Sequence, residues 1–149
     1  MTAGTVEREL SGLTGETART AGQRFYVQYG VTGVRGQAEA GFPAVRDWGL
    51  PVLEAGLAQG KSPDEAGAAA LLALLAHTTD TNLIARGGIR TQRETAARME
   101  ALLREEPYPC RETLERLDRA FTEGGLSPGG SADLLSLCWM LHFLQKEDK

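Results

Sequence analysis

The chain has 149 residues, 42% of them hydrophobic and 24% charged, and carries a formal net charge of -4. That length and balance predict one soluble globular domain large enough to bury a proper core. The mild negative charge supplies no global field for nucleic acid or an anionic membrane surface, so an anionic ligand needs local arginines or a metal ion.

Helical spacing runs almost throughout. Val6, Leu10 and Leu13, then Phe25 and Tyr29, fall near helical intervals, while Gly12, Gly15 and Gly22 weaken that pattern and allow close packing. A glycine-rich turn follows at residues 30–36. Ala38, Phe42, Val45, Val52, Leu53 and Leu57 mark the next helical stretch, which Pro43 and Pro51 start, kink or split. Ser62-Pro63-Asp64-Glu65 is the cleanest local signal: an N-cap serine, a first-turn proline and a capping-box glutamate. The helix it opens buries Leu71, Leu72, Leu74 and Leu75 and reaches His77. A further helix spans 91–105 and ends before Pro107 and Pro109. Leu114, Leu117 and Phe121 form the apolar face of the next, which Gly124-Gly125 terminates. Ser127 as N-cap and Pro128 as first helical residue open the last helix, where Asp133 is the only charge from Ala132 to Leu144. No segment alternates as a strand and no repeat is visible. The prediction is all-α, a compact bundle of about six to seven helices with glycine-rich polar turns at the helix boundaries.

Cys110 and Cys138 are too few for a disulfide framework; Cys138 reads as a small core hydrophobe, and a reducing cytoplasm is the expected location. The two histidines and two cysteines lack ligand spacing, which argues against structural zinc. The polar start and the short longest apolar run predict neither a signal peptide nor a membrane span. Residues 56–62 imitate a phosphate-binding loop, but the first glycine stands one residue too close to Gly60-Lys61-Ser62 and no strand precedes it. His142 reads as a satisfied core histidine, His77 as a dipole-stabilised surface residue, and Trp48 and Trp139 as packing anchors.

Three polar, glycine-containing segments interrupt the helices, at residues 33–43, 77–88 and 127–133. Arg35 and Arg86 offer guanidinium forks for phosphate oxygens, or are ordinary ion-paired arginines. Asp80 and Asp133 suit Mg²⁺, which accepts a few carboxylates and keeps water and phosphate ligands; the bland alternatives are an N-cap and a first-turn acid. Glu39 could act as a general base, or pair with Arg35 four residues earlier on one helix face. Asn82 could orient a ligand hydroxyl or cap a turn. Ser127, Gly129, Gly130 and Ser131 combine a helix start with backbone free of bulk, a setting for phosphate or a plain cap.

In this order the segments resemble the carboxy-terminal half of the triphosphoribosyl-dephospho-coenzyme A synthase family, over residues 18–144. The resemblance rests on Gly33-Val34-Arg35-Gly36 with Glu39 and Gly41-Phe42-Pro43, on Asp80-Thr81-Asn82 with Arg86-Gly87-Gly88, and on residues 126–135. It implies an all-α enzyme in which ATP and 3′-dephospho-coenzyme A give the triphosphoribosyl adduct and free adenine. That adduct is the precursor of a prosthetic group on the acyl carrier subunit of citrate lyase or malonate decarboxylase. It further implies Mg²⁺ at Asp80 and Asp133, and Glu39 or Asp80 as the base. Phosphate and substrate contacts then fall to Arg35, Gly36, Asn82, Arg86, Gly87, Gly88, Ser127, Gly129, Gly130 and Ser131. The family's amino-terminal half carries a proline-lysine-proline-glycine element and a glycine-lysine-glycine element, and neither occurs here. Residues 1–149 are therefore expected to form one all-α domain equivalent to the carboxy-terminal half, needing a complementary amino-terminal half or self-association. A silent nucleotide-binding or protein-interaction module is the alternative.

Overall fold

The computed structural model describes residues 4–147, and among these every regular element is helical. In chain order they are α1 (Thr5–Leu10), α2 (Ala21–Tyr29), α3 (Gly33–Glu39), a π-helical turn (Val45–Gly49), α4 (Leu50–Ala58), α5 (Pro63–His77), α6 (Thr81–Glu105), α7 (Arg111–Glu123) and α8 (Gly129–Glu147). The all-α prediction holds, with eight α-helices among the described residues. No single helix among them is long and apolar enough to cross a membrane.

Helix α5 is the axis of the fold. Its small, wholly buried Ala66, Ala69 and Ala70 let neighbouring helices approach closely, while Leu72, Leu74 and Leu75 fill the space between them. On one side Leu74 joins Val45, Leu53, Leu134 and Cys138, which welds the π-turn, α4 and α8 to α5. On the other Leu72 and Leu75 meet Leu83, Met99 and Leu117 of α6 and α7. The start of α5 is the predicted capping box: Ser62 Oγ accepts from the Glu65 N–H at 3.2 Å, and Glu65 Oε2 accepts from the Ser62 N–H at 2.9 Å. The Ser62 backbone N–H holds the Glu65 carboxyl below the ordinary glutamate range.

The expected helix start at Pro43 and split at Pro51 are present, and two local departures from the sequence reading, at Gly88 and at the start of α8, position the site. Residues around Pro51 form a wide turn in which the Leu50 N–H bonds the Val45 carbonyl five residues back. Gly49 there packs so tightly that a Cβ would lie 2.6 Å from Cys138 Sγ and 2.9 Å from Leu74. The helix expected over 91–105 begins at Thr81 and breaks at Gly88, whose φ of 80° and ψ of 169° favour glycine. Helix α8 begins at Gly129 rather than Pro128, with the Ala132 N–H bonded to the Pro128 carbonyl at 2.9 Å. Its third N–H, on Ser131, is taken by Asp80 of another helix, so Ser127 is not needed as the cap.

Candidate functional site: a hydroxyl-lined cleft at a shared helix cap

A cleft of about 410 Å³ lies where the α2–α3 turn, the α5–α6 turn, the part of α6 beyond Gly88 and the start of α8 converge. At its floor sits Asp80, only 3% exposed. Its Oδ1 accepts from the backbone N–H groups of Asn82 (2.9 Å) and Leu83 (3.3 Å), capping α6. Its Oδ2 accepts from the Ser131 backbone N–H (2.7 Å) and hydroxyl (2.9 Å), capping α8 from outside that helix. One carboxylate thus serves two helix N-termini, whose partial positive charges stabilise it in place. Its four lone-pair positions are matched by four donors.

The two glycines of α8 make this convergence possible. A Cβ at Gly130 would lie 3.3 Å from the Asp80 carboxyl carbon, and one at Gly129 would lie 2.7 Å from Asn82 Nδ2. Thr78 Oγ1, which donates to the Leu74 carbonyl at 2.7 Å, lies 3.4 Å from the Ser131 hydroxyl. Buried Gln92 donates through Nε2 to the Thr78 carbonyl at 2.9 Å, fastening α6 beyond its break to the α5–α6 turn. Across the cleft, Gly33 brings the α2–α3 turn against α6, with its Cβ position 3.0 Å from Thr81 Cγ2. His77 at the rim is no lone surface residue: its ring stacks on half-exposed Trp48 with centroids 3.5 Å apart and planes 15° apart.

Of the residues singled out by sequence, Asp80 and Gly130 line the cleft, with Ser131 wholly buried directly behind. Asn82 contributes its backbone N–H, and its exposed side chain rests at Gly129. Others lie elsewhere. Arg35 is exposed and ion-paired with Glu9. Glu39 accepts from the Val6 N–H at 3.0 Å, tying α3 to α1 instead of pairing with Arg35. Gly36 makes room for the Thr32 side chain. Arg86 reaches the Gly125 carbonyl at 3.5 Å, and Gly87 is pressed between Thr91 and Leu126. Gly88 is the helix break, Ser127 borders a separate apolar groove beside Leu126 and Pro128, and Asp133 is exposed outside the cleft lining.

The sequence reading passed over lining residues that carry chemistry, among them Thr32, Thr78, Thr79 and Thr81 as individual groups, Gln92, and Arg93. Ile89, Gln92 and Arg93 all line the cleft at helical spacing, a signal that becomes readable only once α6 is known to restart after Gly88. No three His, Cys, Asp or Glu side chains converge among the described residues. With the Asp80 lone pairs occupied and Asp133 outside the lining, the residues present do not fit a resident metal centre.

Comparison with known proteins gives the lineage. The family model described as ATP:dephospho-CoA triphosphoribosyl transferase matches residues 1–149. The chain is 40% identical over 143 residues to a probable 2-(5''-triphosphoribosyl)-3'-dephosphocoenzyme-A synthase of Pectobacterium carotovorum, covering 95% of this chain and 46% of that one. It is 43% identical over 144 residues to a protein of the same name from Citrobacter koseri, covering 93% and 46%. The 2-(5''-triphosphoribosyl)-3'-dephosphocoenzyme-A synthase of Pectobacterium atrosepticum is 39% identical over 143 residues. The chain spans about half the length of the curated relatives it matches. No solved structure matches it. With a family match along its whole length and such identities, the chain belongs to the ATP:dephospho-CoA triphosphoribosyl transferase family.

Proposed function

We propose that this chain is the carboxy-terminal part of a transferase that moves the triphosphoribosyl group of ATP to 3′-dephospho-coenzyme A. In this reading the cleft over Asp80 receives substrate. The observation that carries it is the meeting of all three polar segments at one cleft, in a chain of this family. The ribose 2′-hydroxyl of dephospho-coenzyme A attacks the anomeric carbon of the ATP ribose. A carbon–oxygen bond forms as the bond to adenine nitrogen breaks, and the triphosphate stays on the transferred pentose. The hydroxyl proton passes to a base and adenine leaves.

The positive character that develops at the anomeric carbon favours a nearby carboxylate. Asp80 meets that need as a fixed negative charge that has no need of a free lone pair, since electrostatic stabilisation requires position rather than proton transfer. Glu39, the other expected base, lies outside the cleft lining and bonds to Val6, which leaves proton abstraction to a group from the complementary half. Mg²⁺ enters with the triphosphate as part of the substrate, as that ion commonly does. Both thiols are free, in keeping with a cytoplasmic site of action.

Two further observations support a complementary half. The relatives carry about as much chain again, and Met140, Phe143 and Leu144 leave an apolar stripe of α8 half exposed. The prosthetic group of a citrate lyase or malonate decarboxylase carrier subunit is then the destination of the product. Adenine release from ATP with Mg²⁺ and 3′-dephospho-coenzyme A, by this chain with and without the complementary half, tests the proposal. Release that needs both halves upholds it, and release by the chain alone removes the need for a partner. Nucleotide binding without release by either preparation favours the silent module.

A further inference from the structure

We propose that Arg93, and neither Arg35 nor Arg86, is the cation of the cleft that takes the polyphosphate oxygens of substrate; this rests on reading the cleft as the substrate site. Arg93 lines the cleft, is exposed, and has no ion pair or hydrogen bond among the described residues. The one carboxylate in the lining is Asp80, already matched by four donors from two helix starts, so the Arg93 charge is not consumed by it. His77, the other basic side chain there, is stacked on Trp48. With a chain charge of -4, a polyphosphate has to be attracted locally, and a planar guanidinium matches paired phosphate oxygens.

The fold presents Arg93 deliberately. The left-handed break at Gly88 restarts α6 so that Ile89, Gln92 and Arg93 occupy the face toward the cleft. One residue before Arg93, buried Gln92 is fixed to the Thr78 carbonyl at 2.9 Å, which holds this turn of α6 against the α5–α6 turn at the cleft. In the same lining the hydroxyls of Thr32, Thr79 and Thr81 supply neutral donors suited to the remaining phosphate oxygens, while the Thr78 hydroxyl is spent on the Leu74 carbonyl. Arg35 is held by Glu9 and Arg86 reaches back to Gly125, both outside the lining.

The shared chemistry is a phosphoanhydride chain, which ATP and 3′-dephospho-coenzyme A both carry. Calorimetric titration of the full chain with tripolyphosphate, ATP, 3′-dephospho-coenzyme A and adenosine separates the sources. Arg93→Gln is expected to weaken tripolyphosphate and ATP about ten- to a hundredfold, the usual span for losing charge-assisted hydrogen bonds, without changing adenosine. Arg93→Lys is expected to recover part of the loss. A matching loss for dephospho-coenzyme A would place its diphosphate on the same arginine; no loss for it would reserve the residue for the triphosphate. Wild-type affinity in Arg93→Gln, or a loss confined to Arg35→Gln or Arg86→Gln, overturns the assignment and leaves the cleft reading standing. No binding of any phosphate ligand by the wild-type chain, alone or with its complementary half, overturns both. Thermal unfolding of each variant guards against misfolding, and Arg93→Met repeats the neutralisation with a different shape.

Discussion

Asp80 and Ser131 show how one side chain can hold a site and stand in it. The carboxylate joins residues 51 positions apart in sequence through bonds of 2.7 and 2.9 Å in a buried setting. Ser131→Ala removes the hydroxyl bond and keeps the backbone one, so a loss of about 1–2 kcal/mol is expected in urea unfolding. Asp80→Asn sets an amide donor against two of the four existing donors and is expected to cost more, about 2–3 kcal/mol. A purely catalytic Asp80 would leave stability unchanged in both experiments. Cys138 offers a second test at this scale. It is completely buried, and burial pushes its thiol up to about 11, so it stays protonated and inert at pH 8 while exposed Cys110 reacts. A thiol reagent at that pH is expected to titrate one cysteine in the native chain and both after denaturation. Because the folded thiol keeps its proton to higher pH than the unfolded one, its contribution is complete below pH 9. It is lost as pH rises from about 9 through about 11, by at most about 2–3 kcal/mol.

At the scale of elements, caps and breaks decide where chemistry lies. Ser62→Ala dismantles the capping box of the central helix and is expected to lower stability by about 1 kcal/mol, read from the thermal midpoint. Gly88→Ala meets no steric obstacle, since nothing stands within 4 Å, yet it forces a φ of 80° on an alanine. That strain is expected to cost about 1–2 kcal/mol in unfolding and to favour a continuous helix that carries Arg93 off the cleft. Lower stability with unchanged tripolyphosphate affinity would show that the break does not aim Arg93. The α5 cap, the Gly124-Gly125 stop and the apolar faces were legible because each signal is complete within a few residues. Thr20 and Gln23 form another capping box, equally local, that the hydrophobic spacing of residues 6–29 obscured. The 77–88 segment read as a loop because its glycines and polar residues outweighed helical spacing, and the Asp80 cap then let most of it become helix.

For the molecule as a whole, relatives are about twice as long, and α8 shows Met140, Phe143 and Leu144 to solvent. Adenine release is therefore expected only when the complementary half is supplied, and ATP is expected to raise the thermal midpoint most in that mixture, because ligand binding to the native state adds to stability. Equal release without the half would show that one cleft suffices. By itself the sequence determined the all-helical class, the position of the central helix and the three segments from which the cleft is made, since caps, spacing and turn residues act over a few neighbours. Which side chains of those segments meet was decided only in three dimensions. Arg35, Glu39 and Arg86 found partners on other elements, while Gln92 and Arg93 turned toward the cleft past Gly88. The physical reason is that hydrogen bonds between elements, such as those Asp80 accepts from Ser131 of α8, depend on how closely two backbones approach. That distance is fixed by the packing of the whole core around α5.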